Sequence, residues 1–308
     1  MASRREFMKQ VGFGALAGSG MSGVGARAAA DPAQDGEKSG TARLMPGCCA
    51  YSYNEDLRRG AMTLEDVILK AVELHVLAVD MTAYYFKSTE PGYLCGLRKL
   101  AYRHGVAFSG VACGVSMVQA DAVKRAESLR QLKKWIDVTD RLGASHLRIF
   151  AGELSPGTSV KDAIDWTVET MKAACDYSGE KGIVLGLEDH EGLTQSADPC
   201  VEIMQRVNSP FAGINLDITN FIATPAQDAY AQIAACLPYA TNAHIRDRFY
   251  DATPVDMDRV WRMFAGAGYQ GYMLAEYEAS PPDRLPSVAG VPKLAREIKE
   301  LCRKYSSV

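Results

Sequence analysis

The stretch Ile183-Val-Leu-Gly-Leu-Glu188 is a short apolar run that ends in a carboxylate, and three similar runs follow it at intervals of roughly thirty residues. They are Gly213-Ile-Asn-Leu-Asp217, Ala243-His-Ile-Arg246 and Tyr272-Met-Leu-Ala-Glu276. One parallel strand with its crossover helix and loops takes about that much chain. The recurrence therefore predicts that four side chains lie at the same height on successive strands, namely Glu188, Asp217, His244 and Glu276.

The same alternation of strand and helix extends over most of the 308 residues. Between the β-rich runs lie segments with apolar residues at helical spacing, such as Thr63–Leu74 with its Thr cap and acidic first turn. Eight strands are predicted, at 46–53, 76–83, 106–112, 146–151, 183–188, 212–217, 241–246 and 271–276. This pattern is typical of an α/β fold with a single (β/α)8 TIM barrel. A doubly wound open sheet is the competing architecture, but no Gly-x-Gly-x-x-Gly follows an early predicted strand.

The first thirty residues resemble an export signal. Ser3-Arg-Arg-Glu-Phe-Met-Lys9 is similar to the twin-arginine motif, and a weakly apolar stretch and small residues up to Ala30 follow it. The apolar stretch is too short and too rich in glycine for a stable membrane span. We therefore expect a twin-arginine signal peptide at 1–30, a polar linker at 31–43 and the barrel at 44–308. The twin-arginine translocase is then an expected partner, and the periplasm is the expected location.

Composition and charge argue against several other classes of protein. The chain is 47% hydrophobic and 23% charged, which is typical of a soluble globular protein. The formal net charge is -3 and the sequence has no basic run, so it shows no cluster of positive charge that would bind nucleic acid or an anionic membrane. The eight cysteines include no Cys-x-x-Cys pair, so we expect mostly buried thiols rather than a disulfide framework. The sequence does not decide between a monomer and a homo-oligomer.

Alternation within the predicted strands places the polar residues on one face. Side chains two positions apart share a face, so His190 joins Glu188 at the barrel mouth and Arg246 joins His244. Three carboxylates and one imidazole are ligands for one divalent ion of the Mn, Mg, Co or Zn type, and they do not match a thiolate site for a soft metal. The pattern predicts a metal site whose ligands are Glu188, Asp217, His244 and Glu276.

A second set of residues shares one face of the fourth predicted strand and comprises His146, Arg148 and Phe150. His146 begins the strand and should lie too low to reach the metal. An arginine inside a barrel is costly without an anionic partner, so Arg148 and Arg246 should contact substrate or the metal-ligand carboxylates. Together with His190, these two arginines are the predicted substrate-binding residues.

The strand ends resemble the sugar phosphate isomerase/epimerase family, the xylose-isomerase-like TIM barrels, over about residues 45–305. The motifs that carry this resemblance are Leu187-Glu-Asp-His190, Leu216-Asp-Ile-Thr-Asn220, Ala243-His-Ile-Arg-Asp247, Ala275-Glu-Tyr-Glu278 and, on the fourth strand, Leu147-Arg-Ile-Phe-Ala-Gly152. The resemblance implies that the four predicted ligands bind a divalent metal, often Mn, and that His190 and Arg148 approach the substrate. Many relatives have Lys where this chain has Arg246, and a permanently charged guanidinium can hold an oxyanion but is a poor base.

The ligand set predicts a class of reaction. A divalent ion that chelates a carbonyl and an adjacent hydroxyl acidifies the intervening C–H group and stabilises an enediolate. Glu188 and Glu276 are the natural acid–base pair, which predicts a metal-dependent isomerase or epimerase acting on a sugar or keto-sugar. One alternative is a metal-dependent lyase or dehydratase acting on an oxidised (3-keto) sugar or glycoside. The other is a non-catalytic exported sugar-binding barrel.

Overall fold

The computed structural model describes residues 41–223, 228–279 and 285–307. Within them, eight parallel strands close into a barrel in chain order, with the last strand paired to the first. The predicted (β/α)8 TIM barrel is confirmed. The predicted signal peptide at 1–30 and residues 31–40 of the predicted linker lie outside the described residues.

Strand and helix alternate regularly around this barrel. The strands are β1 Arg43–Cys49, β2 Ala78–Thr82, β3 Ala107–Ser116, β4 His146–Phe150, β5 Val184–Glu188, β6 Ala212–Asp217, β7 Ala240–Ile245 and β8 Gln270–Ala275. The helices are α1 Asn54–Arg58, α2 Leu64–Leu74, α3 Pro91–His104, α4 Ala122–Leu142, α5 Val160–Gly179, α6 Ala197–Val207, α7 Ala229–Cys236, α8 Met257–Gly266 and α9 Ser287–Tyr305. In the described part of the chain, four short 3-10 turns supplement them, at Ala50–Tyr53, Ala83–Tyr85, Gly192–Thr194 and Leu237–Tyr239.

The helix boundaries follow from local sequence signals. Thr63 caps α2 in a reciprocal capping box with Asp66, and the Asp121 side chain accepts from two backbone N–H groups at the start of α4. Helix α4 ends at Leu142, and the capping residue Gly143 that follows has a φ of 85°, which glycine adopts most readily. The apolar faces of the helices, such as Leu132 and Ile136 of α4, are fully buried against the barrel.

Two strands differ from the prediction by more than two residues at a boundary. The first strand was expected at 46–53, but β1 begins at Arg43 and ends at Cys49. The chain then turns over the end of β8, where the Ser52 hydroxyl donates to the Ala275 carbonyl and accepts from the Tyr277 N–H. The third strand continues to Ser116 because its upper part stays paired with β4. Both shifts change which residues stand at the barrel mouth.

The cysteines of the barrel are mostly buried thiols, as the sequence predicted. All eight cysteines are free thiols, and seven of them are buried, with Cys95 exposed. No described helix is both long enough and apolar enough to cross a membrane.

Candidate functional site

The four predicted metal ligands come together at the carboxyl end of the barrel, and we refer to Glu188, Asp217, His244 and Glu276 as the four-ligand cluster. One ligand atom from each lies within 4.8 Å of the others, and all four residues are buried. In the sheet, Asp217 aligns with His244, whereas Glu188 aligns with Asn215. Because the strands of a barrel are tilted and staggered, this register still brings the side chains to one height.

His244 lies at the centre of the cluster and orients its two ring nitrogens differently. Nδ1 lies 3.1 Å from Glu188 Oε1 and 3.4 Å from Glu276 Oε1, so this nitrogen faces the carboxylates. Nε2 faces the opposite way, 3.7 Å from Asp80 Oδ2, and has no hydrogen-bond partner among the described residues. A carboxylate behind the distal nitrogen is the arrangement that orients histidine ligands in metal sites.

The two predicted arginines contact the carboxylates of the cluster. Arg148 Nε lies 3.1 Å from Glu188 Oε2, and its guanidinium stacks over the Phe150 ring at 4.0 Å. Arg246 Nη2 lies 3.1 Å from Asp217 Oδ2 and 2.8 Å from Glu276 Oε2. The arginines therefore balance negative charge that would be costly to bury alone.

Burial and these charges set the protonation of the cluster. Burial raises the pKa of Asp217 to about 7, with the negative charges of Glu276 and Glu188 adding to the effect and Arg246 opposing it. For Glu276, burial also favours the neutral acid, but the charges of His244 and Arg246 outweigh it and hold its pKa well below the usual range. Arg148 and His244 likewise outweigh burial at Glu188 and lower its pKa. Both glutamates are thus ionised at neutral pH.

The donor set fits a divalent metal ion. Ligand atoms within 4.8 Å of one another can share one ion at metal–ligand distances of about 2.0–2.6 Å. Asp217 Oδ1 accepts hydrogen bonds from the Thr219 N–H and hydroxyl, which leaves Oδ2 directed into the cluster. Three carboxylates and one imidazole suit ions of the Mn, Mg, Co or Zn type, and binding of the ion would displace the imidazole proton.

A cavity of about 520 Å³ opens above the cluster and contains all three predicted substrate-binding residues. His190, Arg148 and Arg246 line it together with the two glutamates. The His190 ring packs on Phe150 with ring centroids 4.4 Å apart. Further aromatic walls come from Tyr51, Tyr84 and Tyr250. A cavity of this size, with aromatic walls and a few convergent charges, is suited to a small polar molecule.

His146 occupies the low position predicted for it. It is buried beneath the cluster, its Nε2 lies 3.1 Å from the Thr241 hydroxyl, and burial lowers its pKa to about 4. The ring rests against Gly186, where a Cβ atom would approach Nε2 to 2.3 Å. Gly186 therefore makes room for a neutral histidine that supports the site from below.

Two buried aspartates that support the cluster were missed by the sequence analysis. Asp80 on β2 backs His244, and Asp189 Oδ1 accepts from the Asp217 N–H at 2.8 Å. The signal for Asp80 was a carboxylate within the otherwise apolar run Ala78-Val-Asp-Met-Thr82. Asp189 lies between Glu188 and His190, so strand alternation places it on the opposite face from the mouth and gave no signal for a role in the site.

Comparison with known proteins agrees with this architecture. The sequence matches the xylose isomerase-like TIM barrel family over residues 69–305. Among solved structures, L-ribulose 3-epimerase is similar with a TM-score of 0.70 and 14% identity, over 85% of this chain and 95% of that chain. The D-allulose 3-epimerase from Methylomonas sp. in complex with D-allulose gives 0.66 and 18%, over 86% and 98%.

A xylose isomerase domain protein from Planctomyces limnophilus gives a TM-score of 0.64 and 18% identity, over 77% of this chain and 93% of that chain. At these identities the likeness establishes a shared fold. No curated protein sequence matches the chain.

Proposed function

Because this chain belongs to the xylose isomerase-like TIM barrel family, we propose that it is a divalent-metal-dependent sugar isomerase or epimerase. The observation that carries the proposal is the four-ligand cluster at the floor of the cavity, with two ionised glutamates that both face Nδ1 of His244. Sugar 3-epimerases among the structural relatives, one of them in complex with D-allulose, support a carbohydrate substrate.

In each of the two glutamates, one carboxylate oxygen faces the ligand set and the other contacts an arginine. Oε1 of both Glu188 and Glu276 faces His244 Nδ1, toward the centre of the ligand set. Oε2 of Glu188 is held by Arg148, and Oε2 of Glu276 is held by Arg246. All four of these residues line the cavity. Each glutamate can therefore contribute one oxygen to a metal and present the other to a bound sugar.

The expected mechanism is proton transfer between the two glutamates and one carbon of the sugar. A divalent ion held by the cluster, Mn being the expected one, would polarise the sugar carbonyl and stabilise the enediolate that forms when the adjacent proton leaves. One ionised glutamate takes the proton. The proton returns to the enediolate from that glutamate on the same side, or the other glutamate, after it has gained a proton from solvent, delivers one from the opposite side. The guanidinium groups of Arg148 and Arg246 hold these carboxylates in the ionised form needed for the first step.

Positioning of the substrate is the second part of the proposal. His190 and Arg148 offer hydrogen-bond donors from the same wall of the cavity, and Phe150 and Tyr84 offer apolar surface to a sugar ring. Arg246 remains a proposed substrate contact, with its orientation set by Asp217, Glu276 and Glu278.

We also propose that the protein is exported by the twin-arginine route. The Arg4-Arg5 pair, the apolar stretch after it and the small residues up to Ala30 support this proposal. Phosphorylated intermediates of central metabolism are mostly cytoplasmic, so an exported enzyme favours a free sugar or an oxidised glycoside as substrate.

A substrate panel tests the proposed reaction. Purified protein loaded with Mn²⁺ is incubated with ketoses, among them D-allulose, and with 3-keto-glycosides, and the products are identified by mass spectrometry and NMR. A new isomer of unchanged mass is the expected result. Loss of water or an aglycone would instead identify a lyase, and failure to convert any sugar despite bound metal would contradict catalysis of this type.

A further inference from the structure

A cysteine thiol lies beside the four-ligand cluster. Cys49 is the last residue of β1, and its Sγ atom, one ring nitrogen of His244 and one carboxylate oxygen of Glu276 all lie within 4.8 Å of one another. All three residues are almost fully buried, at 1%, 1% and 4% exposure. An ion bound to this thiol could therefore also contact His244 and Glu276, which are two of the four predicted metal ligands.

A second observation concerns His244 itself. Its Nε2 atom is buried and has no hydrogen-bond partner in the described part of the chain, and the ring also contacts the Cys49 thiol. A buried thiol against a ring with an unpartnered nitrogen is a costly arrangement, because neither group has the hydrogen bonds that water would give it. A cation held by the thiol, a ring nitrogen and Glu276 would offset part of that cost.

The chemistry of this second group differs from that of the four-ligand cluster. Oxygen-rich sites suit Mn²⁺ and Mg²⁺, whereas thiolate sulfur prefers softer ions. Cysteine sulfur, histidine nitrogen and glutamate oxygen are each ligands that zinc accepts, and a zinc site with three protein ligands keeps a fourth position open.

We propose that Cys49, His244 and Glu276 form a second, overlapping metal site that takes thiophilic divalent ions such as Zn²⁺ or Cd²⁺. Binding replaces the S–H bond of Cys49 by a sulfur–metal bond, and the proton leaves to solvent, so no oxidant or reductant is required. Because His244 and Glu276 belong to both sites, one ion excludes the other. One consequence rests on the proposed function: an ion in the thiol site keeps the catalytic ion out and so inhibits the enzyme.

Cadmium provides a direct probe that does not depend on catalysis. The metal-free full-length protein is titrated with Cd²⁺, and the ultraviolet sulfur-to-cadmium charge-transfer band is recorded. All variants carry Cys95→Ser, because Cys95 is the exposed thiol that would bind Cd²⁺ at the surface. We expect a band that saturates at one Cd²⁺ per chain.

The matched control is the neighbouring residue Cys48, which is equally buried but lies outside the donor group. The band should disappear in Cys49→Ser and remain in Cys48→Ser. Cys49→Ala repeats the test if the serine hydroxyl disturbs folding, with circular dichroism confirming the native structure. An unchanged band in a folded Cys49 variant, or its loss in Cys48→Ser alone, overturns the proposal.

A competition measurement separates this site from the proposed function. Cys49→Ser should weaken Cd²⁺ binding by more than about tenfold and change Mn²⁺ binding by less than about threefold, since it removes a ligand from one site only. Excess Mn²⁺ should suppress the cadmium band in the Cys48→Ser control. If the band forms but Mn²⁺ neither binds nor competes, the thiol site stands and the proposed Mn²⁺ enzyme does not. If Mn²⁺ binds and no band forms, the reverse holds.

Discussion

Replacing Arg246 should destabilise the metal-free protein far more than the metal-loaded protein. Its side chain is 16% exposed and pairs with Asp217 and Glu276, whose side chains are 0% and 5% exposed. Removing one partner of a buried ion pair leaves an uncompensated charge and costs about 3–5 kcal/mol. Since the arginine retains some contact with water, we take the lower value of about 3 kcal/mol for Arg246→Met. In a domain of this size that lowers the melting temperature by about 6–12 °C.

A divalent ion would neutralise the same two carboxylates, so saturating Mn²⁺ should reduce this loss to about 1 kcal/mol, or about 2–4 °C. Differential scanning calorimetry in excess EDTA and in excess Mn²⁺ measures both values. Arg206→Met is the matched control, because Arg206 forms exposed ion pairs with Asp165 and Glu202 that contribute little in either condition. Equal losses for Arg246→Met with and without Mn²⁺ would refute the reasoning.

Three further predictions test the pH dependence of metal binding, the group behind His244 and the export signal. Because burial raises the pKa of Asp217 to about 7, a metal must displace a proton from this carboxyl group below that pH. The Asp217 proton alone should lower the apparent Mn²⁺ affinity by up to about tenfold per pH unit below 7, so the affinity should fall from pH 8 to pH 6. Calorimetric titrations giving one affinity at both pH values would contradict this. Asp80→Asn keeps every ligand but changes the group behind His244 Nε2. It should weaken metal binding by about 10–100-fold in the same titration. An unchanged affinity would assign Asp80 a purely structural role. Replacing Arg4 and Arg5 together by Lys should retain the protein in the cytoplasm on cell fractionation, and normal recovery from the periplasm would show that the signal was misidentified.

The parts of the site predicted from the sequence are those encoded by local pattern. Glu188 and Asp217 each end an apolar run, and the observed ends of β5 and β6 coincide with the ends of those runs. Alternation placed Arg148 and His190 on the cavity side because the period of a strand is fixed at two. The contact of the arginines with carboxylates followed from the cost of burying an unpaired charge.

The parts that were missed depend on contacts between distant strands. Asp80 on β2 meets His244 on β7 across the barrel interior, and a single aspartate in an apolar strand carries no sign of its partner. Cys49 was hidden for a different reason. With the first strand predicted to run to residue 53, Cys49 stood in mid-strand, whereas the turn over β8 makes it the strand end beside Glu276.

Proton exchange in deuterated water tests the central claim most directly. The metal-loaded protein is incubated with a ketose that it converts, and NMR follows replacement of hydrogen by deuterium at the carbon next to the carbonyl. We predict exchange with the wild-type protein and a rate lower by about 10²–10⁴ in Glu188→Gln and in Glu276→Gln, with metal still bound, because each substitution removes a proton-accepting carboxylate. Near wild-type exchange in both metal-bound variants would contradict the assignment of these two glutamates as the acid–base pair.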